Sequence, residues 1–255
     1  MPTLARDGVK IHYDVAGSGP ALILTHGYSS TGRMWDGQIA PLSQHFTVIT
    51  WDMRGHGRSD YPEDPAQYSE EKTVADMAGL LDAVGAKDAI VGGLSLGGYM
   101  SLAFHRAHPD RTRALLIIDT GPGYKNDQAR DAWNESALKR AERYEAEGLP
   151  DLSRASAEVR LAHHRDATGL ARSARGMLAQ RDSAVIESLP GVRVPAVVIV
   201  GANDTPFLAA SDYMAAKIPG AKKVVIPDAG HSANIDQPAA FNAALMAFLA
   251  DAGLV

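Results

Sequence analysis

Six short apolar runs, at residues 21–25, 47–51, 89–92, 114–118, 195–200 and 223–226, constrain the fold of this chain more than any other feature. They are rich in Val, Ile or Leu and end close to Gly, Asp or Ser. Runs this short and this continuously apolar suit strands covered on both faces. Between them lie segments with helical spacing, such as Val74, Met77, Leu81 and Val84, or Phe241, Leu245 and Phe248. Strand and helix alternate, which predicts an α/β fold with a mostly parallel central sheet and helices on both faces. A chain of 255 residues, 45% of them hydrophobic, has enough apolar surface to fill such a core.

Two stretches depart from the alternation. Residues 9–15 alternate apolar with polar and then meet Gly17-Ser18-Gly19-Pro20, which predicts an antiparallel edge strand before a turn. From about residue 121 to 189 the strand signal is missing, and Trp133, Ala137, Ala141 and Tyr144 follow one helical face. The expected organisation is therefore a core of residues 1–120 and 190–255, with residues 121–189 inserted as a helical cap over the sheet edge. Gly121-Pro122-Gly123 and Leu189-Pro190-Gly191 bound the insertion.

Charge and composition exclude several classes of function. The net charge is -5, with 25 basic and 30 acidic residues scattered along the chain, so there is no basic stripe for nucleic acid or an anionic membrane. There are no cysteines, which removes disulfides, thiolate metal sites and a cysteine nucleophile. No segment approaches the roughly 20 apolar residues of a membrane span, and residues 1–8 contain no apolar stretch of signal-peptide length. A cytoplasmic protein is expected, and its oligomeric state is not specified.

The chemistry centres on Ile90-Val91-Gly92-Gly93-Leu94-Ser95-Leu96-Gly97-Gly98-Tyr99, where a buried strand runs into a helix through Gly-x-Ser-x-Gly. A serine on so sharp a turn needs small neighbours, and Gly93 and Gly97 let the backbone fold tightly and lift the hydroxyl above the sheet. The simpler reading is a glycine-rich turn whose serine caps a helix. The strand before it and the helix after it favour the nucleophile elbow, with Ser95 as nucleophile.

A serine hydroxyl needs a base, usually an imidazole. Of nine histidines, His231 lies in the loop that leaves the last expected strand, at the same sheet edge as Ser95. His105 and His108 lie in or just after a helix, and His56 organises the turn Arg54-Gly55-His56-Gly57. His163 and His164 are adjacent on an expected cap helix and so point apart, and no metal site is expected.

The imidazole needs a carboxylate to orient it. Asp204 follows the penultimate strand and gives the chain order serine, acid, histidine. Asp119, at the end of the 114–118 strand, is the rival, and Asp228 reads as a loop residue. The oxyanion of an acyl-transfer intermediate calls for backbone donors: the amide of Leu96, just after the nucleophile, and that of Tyr28, in the loop after the 21–25 strand.

Taken together, His26-Gly27, Asp52-Met53-Arg54-Gly55-His56-Gly57, the elbow, Asp204 and His231 resemble the α/β-hydrolases over nearly the whole chain. Relatives that hydrolyse haloalkanes or epoxides place an aspartate where this chain has Ser95. Relatives that split carbon–carbon bonds usually carry an asparagine where this chain has Leu94. The elbow and the ending from Gly230-His231 to Gln237-Pro238 are similar to 3-oxoadipate enol-lactonases and small carboxylesterases.

The resemblance implies a serine hydrolase acting on a small-molecule ester or lactone, with a Ser95-His231-Asp204 triad and no cofactor. Carbon–carbon hydrolases, perhydrolases and cofactor-free haloperoxidases share that triad, and a receptor on the same fold without turnover is the alternative of another class. A nucleotide-binding oxidoreductase is a weaker reading still, because Gly92-Gly93 through Gly97-Gly98 does not give the G-x-G-x-x-G spacing.

Overall fold

In a computed structural model that describes residues 2–255, eight strands form one sheet: β1 (Thr3–Arg6), β2 (Val9–Ala16), β3 (Ala21–Thr25), β4 (Thr47–Trp51), β5 (Ala89–Leu94), β6 (Thr112–Ile118), β7 (Ala196–Gly201) and β8 (Lys222–Ile226). Their spatial order is β1-β2-β4-β3-β5-β6-β7-β8. The pairs β1–β2 and β2–β4 are antiparallel, and every pair from β4 onward is parallel.

All six apolar runs are strands, but the edge differs from expectation. The outermost strand is β1, which pairs Thr3 with His12 and Arg6 with Val9 and moves the 9–16 strand one place inward. With the sequence Thr-Leu-Ala-Arg, β1 buries little and has no apolar run to announce it.

Ten helices accompany the strands among the described residues: α1 (Asp36–Leu42), α2 (Glu70–Ala83), α3 (Leu96–Ala107), α4 (Asp127–Glu147), α5 (Ala157–Leu161), α6 (Ala167–Ser173), α7 (Ala184–Ser188), α8 (Thr205–Lys217), α9 (Ala233–Asp236) and α10 (Pro238–Asp251). Successive strand residues point to opposite faces, so the sheet divides the core in two. Ile23, Ile49, Val91 and Val198 pack with Met77 and Leu80 of α2, Phe104 of α3 and Met214 of α8. Leu24, Ile90, Leu116 and Ile199 pack with Leu42 of α1 and with Phe241 and Leu245 of α10. Burying each such side chain contributes about 1.5–3 kcal/mol relative to leaving it exposed.

Between β6 and β7 the chain is helical, from α4 to α7. Ala137, Ala141 and Tyr144 form the buried face of α4; Ala141 and Tyr144 pack with Leu170, Ala171 and Ala174, and Ala137 joins the cluster that holds Met177 and Leu178. A π-helical turn, Ala174–Leu178, continues α6. This segment approaches the chain between β4 and α2 closely, backbone to backbone. A Cβ on Gly176 would lie 1.9 Å from the Tyr68 carbonyl oxygen, and one on Gly169 2.5 Å from that of Gly55. From the same stretch, Arg54 makes a two-pronged ion pair with Asp76 at 2.6 and 2.7 Å, both side chains being buried.

Candidate active site

The elbow is built from contacts that leave no room for side chains. A Cβ on Gly93 would stand 2.4 Å from the Gly97 backbone, and one on Gly97 2.2 Å from the Thr25 carbonyl oxygen. Ser95 itself has φ 56° and ψ -119°, outside the regions a non-glycine residue ordinarily occupies. Such a conformation costs about 1–3 kcal/mol and persists because its surroundings fix it. Here the Ser95 N–H donates to the Ile118 carbonyl at 2.9 Å, and the Ser95 carbonyl accepts the Thr120 hydroxyl at 2.6 Å. Leu96 opens α3, so its N–H has no acceptor within the helix and is available at the elbow.

The imidazole and its carboxylate come from two adjacent loops. Asp204 precedes α8, and His231 lies in the loop between β8 and α9. The loops are laced together: the Ala202 N–H donates to Ile226 at 2.9 Å and the Asn203 N–H to Ala229 at 2.8 Å. Gly201 is needed there, since a Cβ would lie 2.2 Å from the Gly230 carbonyl oxygen.

His231 Nδ1 lies 2.9 Å from a carboxylate oxygen of the buried Asp204. Phe207, one helical turn beyond Asp204, stacks on the imidazole with ring centres 5.1 Å apart. Burial pushes the His231 pKa down. The Asp204 hydrogen bond and charge, joined by the charges of Asp119 and Glu158, outweigh it and hold the imidazole above its usual value.

Asp119 occupies a different position. Its carboxylate accepts the backbone N–H groups of Gly201 at 2.7 Å and Ala233 at 3.3 Å, and burial raises its pKa. It therefore braces the two loops that carry Asp204 and His231. Asp228 is exposed in a turn with φ 55°.

Ser95, Tyr28, Asp204 and His231 line one cleft of about 830 Å³. Among the described residues no hydrogen bond spans the gap between Ser95 and His231, as is common for such pairs before substrate arrives. Gly27 backs onto the elbow, where a Cβ would meet the Ser95 Cβ at 3.4 Å, so the 26–30 loop and the elbow are immediate neighbours.

That loop is held by three imidazoles that sequence reasoning did not connect. His26 donates from Nδ1 to the Gly27 carbonyl at 2.7 Å and accepts the Met53 N–H at 2.9 Å. His56 donates to the Arg54 carbonyl at 3.0 Å and accepts the Ser29 N–H at 3.3 Å. His164 donates to the Ser29 carbonyl at 3.0 Å and accepts the Gly57 N–H at 3.2 Å. Each ring thus uses one nitrogen as donor and the other as acceptor, which requires the neutral form. Burial lowers all three pKa values, that of His26 to about 4.

His163 and His164 lie between α5 and α6 rather than on a helix as expected. The signal was present: Asp166 caps α6 through the Thr168 N–H at 2.9 Å, so the helix starts after the histidine pair. Glu158 of α5 was also missed. It lines the cleft and accepts the Ser232 hydroxyl at 2.5 Å, next to His231.

With this geometry in view, the model of the Alpha/beta hydrolase family matches residues 22–244. The chain belongs to that family. Among solved structures, this hydrolase is similar to the enol-lactonase of Burkholderia xenovorans LB400, with 30% identity, coverage of 98% of this chain and 100% of that one, and a TM-score of 0.78. It is also similar to a thermophilic esterase of Thermogutta terrifontis, with 29% identity, 98% and 97% coverage and a TM-score of 0.83. A curated relative, the 2-(acetamidomethylene)succinate hydrolase of Mesorhizobium japonicum, is 28% identical over 87% of this chain and 85% of its own length. No helix among the described residues is long and apolar enough to cross a membrane.

Proposed function

We propose that this α/β-hydrolase cleaves a carboxylic ester or lactone of a small molecule through an acyl-enzyme on Ser95. The observation that carries the reading is a serine held at φ 56° on a strand-to-helix turn, in the same cleft as an imidazole paired with a buried aspartate. Similarity to an enol-lactonase and an esterase along nearly the whole chain supports the choice of bond.

His231 keeps its proton on Nδ1, facing Asp204, so the other ring nitrogen has a free lone pair. That nitrogen takes the Ser95 proton as the hydroxyl oxygen attacks the carbonyl carbon. The resulting oxyanion is met by the amides of Tyr28 and Leu96, and Asp204 stabilises the imidazolium. The imidazolium then protonates the departing oxygen as the bond to it breaks. A water that loses its proton to His231 attacks the acyl carbon, the acid leaves, and Ser95 regains its proton. Residues 121–189 act as a cap that shapes the pocket above a core of residues 1–120 and 190–255.

The test is Ser95→Ala. Turnover of a short p-nitrophenyl ester and covalent labelling by a fluorophosphonate should both vanish, and labelling retained at another residue refutes the assignment.

A further inference from the structure

Residues 27–30 form a turn closed by the Ser30 N–H, which donates to the Gly27 carbonyl at 3.1 Å. Ser29, at the third position, has φ 57°, a value that turns ordinarily give to glycine or asparagine. A serine there is unfavourable on its own, so the turn keeps its shape through what surrounds it. Gly27 stands against the elbow, where an added Cβ would meet the Ser95 Cβ at 3.4 Å, and Tyr28 lines the cleft that holds Ser95 and His231.

A series of hydrogen bonds runs through this turn from the inserted segment to the Tyr28 amide. His164 Nδ1 accepts the Gly57 N–H at 3.2 Å, which leaves the ring proton on Nε2, and Nε2 donates to the Ser29 carbonyl at 3.0 Å. The other end of that peptide unit is the Ser30 N–H, which holds the Gly27 carbonyl. The other end of the Gly27 unit is the Tyr28 N–H. A peptide unit is planar, so fixing its carbonyl aims its N–H. Hydrogen bonds joined head to tail also polarise one another, so the bond made by His164 strengthens the last donor as well as aiming it.

The remaining supports come from the core. His26 donates to the Gly27 carbonyl at 2.7 Å, and His56 accepts the Ser29 N–H at 3.3 Å. Of the three imidazoles, His164 is the one supplied by the segment between β6 and β7. That segment meets the turn again where the Tyr28 hydroxyl donates to the Leu170 carbonyl at 2.9 Å. His164 lines neither space around Ser95, so any effect it has on the reaction passes through the turn.

We propose that His164 is a positioning residue for the Tyr28 oxyanion donor, through which the inserted segment takes part in stabilising the transition state. The inference rests on the acyl-enzyme reading and adds to it a residue remote from the reacting atoms.

Substitution can separate the two ring nitrogens. His164→Gln carries an amide N–H to the place of Nε2 and still donates to Ser29, whereas His164→Asn puts an oxygen at the place of Nδ1, keeping Gly57 and losing Ser29. Removing a whole oxyanion donor costs roughly 100- to 1,000-fold in rate, so mis-aiming one should lower kcat/KM for a short p-nitrophenyl ester about tenfold in His164→Asn and less than about threefold in His164→Gln. A trifluoromethyl ketone of matching length gives the second readout. The Ser95 oxygen adds to its carbonyl carbon, His231 takes the hydroxyl proton, and the carbonyl oxygen becomes the oxyanion. Its inhibition constant should weaken in His164→Asn by the same factor as kcat/KM, while the corresponding methyl ketone inhibits the parent and both variants alike.

Equal losses in the two variants overturn the proposal, as does a loss in His164→Asn that follows melting temperature and leaves inhibition by the trifluoromethyl ketone unchanged. Parent-like rates in His164→Asn also overturn it while the serine chemistry stands. If the parent enzyme neither hydrolyses the ester nor takes fluorophosphonate on Ser95, the serine chemistry itself has failed, and this inference falls with it.

Discussion

The carboxylate of Asp119 holds the backbone N–H of Gly201 at 2.7 Å, tying the end of β6 to the strand that delivers Asp204. Two buried aspartates thus lie near one imidazole with different partners: Asp204 faces the ring, and Asp119 faces main-chain donors. Their amide variants should separate cleanly. Asp204→Asn should lower kcat roughly 10,000-fold with little change in melting temperature, because the ring loses the partner that fixes its tautomer. Asp119→Asn turns an amide N–H toward a backbone N–H and should cost about 1–3 kcal/mol of stability while lowering kcat less than about tenfold. Steady-state kinetics and thermal melts on both variants decide it, and a greater kinetic loss from the second reverses the roles.

The strained backbone at Ser95 gives a stability prediction independent of activity. Ser95→Gly removes the side chain that makes φ 56° unfavourable, whereas Ser95→Ala keeps the Cβ and its strain. The glycine variant should be the more stable of the two by about 1 kcal/mol, in spite of glycine's more flexible unfolded chain. Denaturant midpoints compared at constant m-value provide the check, and an alanine variant at least as stable as the glycine one rejects the strain argument.

The three neutral imidazoles around the Tyr28 loop make a pH prediction whose sign is fixed by their depressed pKa values. For His26 the folded value, about 4, lies below the ordinary 6.5, so the unfolded chain binds the proton first. The stabilisation this group provides is complete above pH 6.5 and is lost as pH falls from there toward 4. His56 and His164 act in the same direction. His231, whose pKa is raised, acts oppositely, and its contribution is lost as pH rises through its folded value. Histidine ring resonances followed by NMR should show no titration of His26 between pH 8 and about 5. A midpoint near 6.5 for that ring contradicts the hydrogen-bond assignment.

The base must be neutral to accept the Ser95 proton, so kcat/KM should fall as pH drops through a midpoint above the ordinary histidine value. Glu158 contributes to that elevation from α5. Glu158→Gln should therefore move the acidic limb of the kcat/KM profile to lower pH while leaving the plateau within about threefold. A limb that stays in place shows that the carboxylate is too well solvated to be felt at the imidazole.

The sequence made the parallel strands and the elbow legible because each rests on local information. A run such as Val197 to Val200 is buried on both faces, and Gly93 and Gly97 announce a turn that forbids side chains. Strand β1 was invisible because its residues pair by main-chain bonds with β2 and bury little of their own surface. The His26-His56-His164 brace was out of reach for a different reason. His164 meets Ser29 across 135 residues of chain, and no periodicity or spacing encodes a contact between an inserted segment and a core loop. Glu158 is the same case, since its bond to Ser232 joins the insertion to the loop that carries His231.

Trp133, Leu178 and Gln180, which line the space around Ser95, all belong to the segment between β6 and β7, whereas Ser95, Asp204 and His231 are fixed by strands and the loops at their ends. Under the proposed function, the core supplies the reacting groups and part of the chamber wall, Tyr28, Tyr99 and Phe207 among it, while the insertion supplies the rest. On that reading, exchanging the insertion for a relative's should reshape one side of the chamber while the Asp204–His231 pair and the Ser95 turn, which are held by core backbone contacts, keep their geometry.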